Sequence, residues 1–281
     1  MFIFRDPLPG PRAHLSQLMD KTAIASRESL SSGSFPVSRP PLIAPPGSVS
    51  RVVWRLYNAL RRAAFPQPLL ASGSKELDEI RQFAATPSDI DEHLERMFTE
   101  TLLLRPKLIV ELGVRGGAST FVFERAAALC SATLVSVDID DCSAVSHYAR
   151  WHFVRGDDVA FAARFQDFCR GRNIAASIDL LFIDTSHYYE HTVREIQSWF
   201  PLLSPAAKVM FHDTNMGIAW CRRDGCIQWS WNNHRGVTRA IEEHLHTRID
   251  ETKGGVQYAD GWLIRHVPYC NGFTILDRVG S

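Results

Sequence analysis

Five short apolar runs follow one another between Lys107 and Asp213: "KLIVELGV", "TLVSVDID", "WHFVRGD", "IDLLFID" and "KVMFHD", with helix-like segments between most of them. Runs this short and this apolar read as strands covered on both faces, and alternation with helices implies crossover connections and a parallel sheet. Ligands of such sheets bind beyond the carboxyl ends of the strands. The polar residues at those ends are therefore the functional candidates: Glu111 and the glycines after it, Asp138, Asp157 and Asp158, Asp184, and His212 with Asp213.

The first strand runs into "VELGVRGGAST", where Gly113, Gly116 and Gly117 let the backbone approach a ligand closely. A dinucleotide fingerprint needs a glycine where Arg115 stands, which argues against a diphosphate ligand. An acid at a strand end, here Glu111, is a natural acceptor for an ammonium group. Asp138 ends the next strand, roughly 20 residues on, where doubly wound folds place a carboxylate against ribose hydroxyls. Ammonium plus ribose suggests S-adenosylmethionine.

Lys107 to Asp213 resembles a class I S-adenosylmethionine-dependent methyltransferase. "VELGVRGGAST" matches the glycine-rich first motif, "SVDID" the ribose-binding acid, and "HFVRGDDVAF" the segment that lines the adenine. The resemblance implies cofactor binding by Glu111, Gly113, Gly117, Asp138, Asp157 and Asp158. It also implies an α/β, doubly wound, mostly parallel Rossmann-like sheet with helices on both faces and a C-terminal antiparallel edge strand; "GWLIRHV" and "FTILDR" would supply its last strands.

"LLFIDTSHYYEHTVREIQSWFPLLSPAAKVMFHDTN" resembles a narrower group, the antibiotic-sugar O-methyltransferases and the cephalosporin hydroxylase-like proteins. Its pattern is Asp-x-x-His, a helix, and a strand ending in an acid or His followed by Asp. Asp184, His187, His212 and Asp213 fall on it. The sugar enzymes carry two adjacent acids at the second strand end and hold Mg²⁺ there; this chain has His212 and Asp213. Two carboxylates and an imidazole suit Mn²⁺, Fe²⁺ or Zn²⁺ better than Mg²⁺.

The implied reaction is methyl transfer to a hydroxyl of a small molecule, a sugar or glycosylated natural product, with His187 as general base. A divalent cation, Mg²⁺ or Mn²⁺, on Asp184, His212 and Asp213 would lower the pKa of acceptor hydroxyls. Without a metal, Asp184 would orient His187. Competing readings stay open: His187 as a helix-start residue, Asp184 and Asp213 as turn caps, the whole as a metal oxygenase, or a non-catalytic adenosyl-binding scaffold.

Two regions fall outside that frame. Residues 1–75 are more basic than the rest and contain a Ser/Gly/Pro stretch, residues 31–50, before the amphipathic "RVVWRLYNALRRAA". They read as an N-terminal extension ahead of a catalytic domain at 76–281. The helix could bind a membrane or an acidic partner, dock on its own domain, or join subunits into a homo-oligomer. "NMGIAWCRRDGCIQWSWNNHRG" is too long for an ordinary connection and reads as a lid whose tryptophans suit a ring-shaped acceptor.

With 31 basic and 31 acidic residues the net charge is zero, which gives no reason to expect nucleic acid as a partner. Six scattered cysteines, Cys221 and Cys226 among them, form no disulfide framework. No run reaches the roughly 18 apolar residues of a transmembrane segment. A cytoplasmic protein is the expectation.

Overall fold

The computed structural model describes residues 48–65, 71–217, 219–222 and 224–279. The chain divides into two units, 1–40 and 41–281. The first unit and most of the Pro-rich stretch lie outside the described residues, and the amphipathic helix belongs to the second unit.

Eight strands form one sheet: β1 (Leu108–Leu112), β2 (Thr133–Asp138), β3 (Trp151–Arg155), β4 (Ile178–Ile183), β5 (Leu203–His212), β8 (Gly255–Ala259), β9 (Trp262–Val267) and β10 (Phe273–Arg278). Their order is β3-β2-β1-β4-β5-β10-β9-β8, with β1 to β5 mutually parallel. The last three strands pair antiparallel, β10 against β5 with Phe273 opposite His212. The doubly wound expectation holds, with one refinement: reversed β10 lies inside the sheet, and the edge is the solvent-facing β8.

Alternation along β1 explains why the sheet is covered on both faces. Leu108, Val110 and Leu112 pack with Phe161, Phe165, Ile196, Trp199, Val237 and Ile241. These come from α5 (Asp158–Ala162), α6 (Phe165–Arg170), α7 (Tyr189–Trp199) and α8 (Gly236–His244). Ile109 points the other way, into Ile80, Leu94, Met97, Val122 and Phe123. That layer is α2 (Lys75–Ala84), α3 (Leu94–Leu104) and α4 (Ala118–Cys130).

Ser88 and Asp91 form a reciprocal cap before α3: Asp91 N donates to Ser88 Oγ at 3.0 Å and Ser88 N to Asp91 Oδ1 at 3.2 Å. Arg105 then closes the helix in the left-handed region, ahead of Pro106.

The amphipathic helix α1 (Ser48–Ala64) docks by its polar side. Asn58 Nδ2 donates to Ile227 O at 2.7 Å, and its Oδ1 accepts from Ile227 N at 2.9 Å. Ile227 belongs to a short hairpin, β6 (Ala219–Cys221) and β7 (Ile227–Trp229), inside the segment read as a lid. Val52, Val53, Leu56 and Leu60 of α1 stay exposed. No helix among the described residues is long and apolar enough to cross a membrane.

Candidate active site

The glycine turn sits where β1 meets α4. Gly113 has φ +88°, and a Cβ there would fall 2.0 Å from the Asp184 carbonyl oxygen, so only glycine lets the ends of β1 and β4 lie this close. Gly117, φ +80°, opens α4 against Val145, whose Cγ1 would be 2.3 Å from an added Cβ. Gly116 faces open space.

Asp138 supports this turn from the end of β2. Its Oδ2 accepts from the backbone amides of Val114 and Arg115 at 2.7 and 2.9 Å, and its Oδ1 from Asp140 N at 2.9 Å. Burial opposes its charge, but these amides hold the carboxyl below its ordinary range. The turn and the acid thus form one rigid unit.

Glu111 is placed differently from the ammonium acceptor expected. It is 0 % exposed, beneath the turn. Thr120 Oγ1 donates to its two oxygens at 3.0 and 2.9 Å, and Ser136 Oγ to Oε2 at 2.5 Å. Burial pushes its pKa up to about 7 against these hydroxyls. Its oxygens therefore brace α4 and β2 and are turned away from the strand ends.

The two aspartates after β3 also have partners. Asp157 is exposed and caps α5, its Oδ1 accepting from Ala160 N at 2.7 Å. Asp158 is buried and turned to His191, 3.0 Å away. Of the two, only Asp157 remains at the surface.

At the ends of β4 and β5 the expected residues converge. His187 Nδ1 lies 2.9 Å from Asp213 Oδ2 and 3.8 Å from Asp184 Oδ1. Asp213, more than Asp184, is therefore the group that orients His187. His212 Nδ1 is 3.2 Å from both Asp184 Oδ1 and Asp213 Oδ2. One donor atom each from Asp184, His212 and Asp213 lie within 4.8 Å of one another.

Backbone conformation stores strain here: His187 and Asp213 both take positive φ, +60° and +57°. Asn233 Nδ2 donates to Asp213 O at 2.9 Å and holds that conformation. Burial opposes charge on both histidines, yet Asp213 and Asp184 carry the His187 pKa above its ordinary value and that of His212 well above it. Asp213 is held far below the carboxylate range by the same pairing.

Three features of the site have no clear sequence signal. His212 Nε2 faces the carbonyls of Asp89 at 3.0 Å and Cys270 at 3.2 Å, contacts spanning more than 50 residues. Arg115, from the glycine turn, pairs with Asp89 at 2.9 Å. Trp231 packs 5.9 Å from the His187 ring and 5.6 Å from Tyr188, with 43 % and 60 % of Trp231 and Tyr188 exposed.

Comparison with known proteins bears on the same segment. Residues 110–214 match the family model of a methyltransferase domain. Over 125 residues the chain is 32% identical to an uncharacterized protein of Sinorhizobium fredii, y4gI, a match covering 40% of this chain and 14% of that protein. The chain thus spans about a seventh of the length of that relative.

Among solved structures, the O-methyltransferase of Bacillus cereus in complex with SAH aligns with a TM-score of 0.50 at 13% identity, over 81% of this chain and 99% of that one. MycE, a methyltransferase of the mycinamycin biosynthetic pathway in complex with Mg and SAH, aligns at 0.47 and 18% identity, over 74% and 55%.

The fold is doubly wound α/β, and residues 110–214 within it match a methyltransferase domain. The matched segment holds both the glycine turn at Gly113–Gly117 and the acidic cluster at Asp184–Asp213.

Proposed function

We propose that the chain transfers the methyl group of S-adenosylmethionine to a hydroxyl of a small molecule, a sugar or a glycosylated natural product. One observation carries this reading: an open glycine turn braced by Asp138 lies beside a histidine whose Nδ1 is held by Asp213 and whose Nε2 has no hydrogen-bond partner among the described residues.

The turn offers backbone at Gly116 to the amino-acid end of the cofactor, and Asp138 stands where ribose hydroxyls would reach it. Asp157 is the exposed acid on the adenine side. Glu111 acts through the turn it supports.

In the transfer, the acceptor oxygen attacks the methyl carbon, the carbon–sulfur bond breaks, and its electron pair stays on sulfur as a neutral thioether. Asp213 accepts a hydrogen bond from Nδ1–H of neutral His187 and so fixes the tautomer whose Nε2 lone pair takes the hydroxyl proton. Such a base contributes roughly 10²–10⁴-fold. Trp231, beside the His187 ring, and Tyr188, packed on Trp231, offer exposed aromatic faces, a fit for the apolar face of a sugar ring or another planar acceptor.

Asp184, His212 and Asp213 fit a divalent cation. Two carbonyls require the His212 proton on Nε2, which leaves the Nδ1 lone pair of the neutral ring facing two carboxylates. Asp213 Oδ1 is buried with no partner among the described residues. A cation there would polarise a bound hydroxyl and offset the carboxylate charge that raises the His187 pKa, favouring the neutral base. The imidazole favours Mn²⁺ over Mg²⁺.

His212 in place of an acid is also the one feature that favours a second reading, a metal oxygenase; stoichiometric iron in the purified protein would support it. The test of the first is transfer of labelled methyl from S-adenosylmethionine to a panel of sugars and glycosides. His187→Ala is expected to abolish transfer while leaving S-adenosylhomocysteine affinity intact; unchanged transfer in that variant contradicts the assignment.

A further inference from the structure

A second group of two carboxylates and an imidazole is buried away from the strand-end cluster, between α5 and α7. Asp158 opens α5 and is 7 % exposed; His191 and Glu195 stand one turn apart on α7, Glu195 at 0 %. His191 Nε2 lies 3.0 Å from Asp158 Oδ1 and 3.7 Å from Glu195 Oε1. One donor atom from each of the three falls within 4.8 Å of the others.

Thr185 Oγ1 donates to Glu195 Oε1 at 2.6 Å. The remaining oxygens, Asp158 Oδ2 and Glu195 Oε2, are buried with no hydrogen-bond partner among the described residues. Two buried carboxylates side by side repel, and such a pair needs a proton or a cation between them. No lysine or arginine of the described residues pairs with either acid, and among those residues His191 is the one basic group that reaches them.

We propose that Asp158, His191 and Glu195 bind a divalent transition-metal cation, Zn²⁺ or Mn²⁺, distinct from any cation on Asp184, His212 and Asp213. The separations of 3.0 and 3.7 Å bracket the ligand-to-ligand spacing of about 3.4 Å that tetrahedral bonds of roughly 2.0–2.2 Å require. The cation clamps α5 to α7. Because α7 starts two residues after His187, the clamp also fixes the turn from which that side chain projects.

Arg194 is the competing contact. Its Nη2 lies 3.2 Å from His191 Nδ1 at the exposed edge, and a donor-only guanidinium there places the histidine proton on Nε2. Binding through Nε2 moves that proton to Nδ1 and turns Arg194 into water, a small cost for an exposed contact. Arg194→Ala therefore binds the cation at least as tightly as the wild type.

The test is calorimetric titration of ZnCl₂ and MnCl₂ into chelator-stripped full-length protein. Wild type is expected to take up two equivalents, and Glu195→Gln and His191→Ala each to lose one, or to bind it at least tenfold more weakly. Asp184→Asn is expected to keep the equivalent that Glu195→Gln loses. Circular dichroism checks that the variants fold, and His191→Ala, nearer the surface, stands in if Glu195→Gln does not. A single equivalent lost with Glu195 supports this site and rejects the strand-end one. No uptake, or uptake unchanged in both Glu195→Gln and His191→Ala, overturns the proposal.

Discussion

Replacing Glu111 by glutamine makes the protein more stable at alkaline pH. In the fold, burial raises the Glu111 pKa from 4.5 to about 7. A shift of that size corresponds to about 3 kcal/mol at 1.36 kcal/mol per unit. The sign follows from linkage: the fold favours the protonated acid, so the stabilising contribution is complete below pH 4.5 and is lost as pH rises through 7. Glutamine has no proton to lose and escapes that loss. Urea unfolding of both proteins from pH 4.5 to 8 measures it, and the variant's advantage should grow by about 3 kcal/mol across that range. A difference that stays constant, or that grows in favour of the wild type, refutes the placement of Glu111 as a buried brace.

Gly113→Ala forces a left-handed alanine, at about 1–2 kcal/mol, and drives its Cβ into the Asp184 carbonyl. Thermal melting should show a loss of several degrees, with S-adenosylhomocysteine binding lost as well. Glu100 lies buried among Lys208 and Arg265, and burial notwithstanding, those cations bring its pKa down to about 2. Its folded pKa is depressed, so its contribution is present above about pH 4.5 and disappears as pH falls towards 2. Glu100→Gln should therefore cost about 3 kcal/mol in urea unfolding at pH 7 and little at pH 2. Trp231→Ala should raise KM for the acceptor several-fold with S-adenosylhomocysteine affinity unchanged, as read by steady-state kinetics and calorimetry.

Strands β1 to β5 were legible because each is a short apolar run closed by a polar residue, a pattern that tertiary context rarely overrides. The turn at Gly113–Gly117 and its neighbour Asp138 could be placed from strand order alone. β8 could not: "GVQYA" begins with glycine, leaves Val256 and Tyr258 exposed, and owes its pairing to β9. The hairpin at Ala219–Trp229 has strands of three residues, too short for a periodicity to register.

Within the site, sequence could bring Asp184, His187, His212 and Asp213 to adjacent strand ends. It could not say which acid holds His187, since that depends on the left-handed turns at His187 and Asp213. Glu111 and Asp158 show the same limit, because a carboxylate at a strand end reads alike whether it faces the ligand or a buried hydroxyl. His191 and Glu195 stand four apart on a helix, a spacing shared by many solvated pairs that bind nothing, so sequence does not single them out.

The most direct test of the central claim is calorimetric titration of S-adenosylhomocysteine into the purified protein, first with a chelator and then with Mn²⁺ or Mg²⁺. Binding near the micromolar range, about −8 kcal/mol, is expected, with a metal effect that disappears in Asp213→Asn. Failure to bind under either condition would leave the class I fold standing and contradict the assignment of its glycine turn to S-adenosylmethionine.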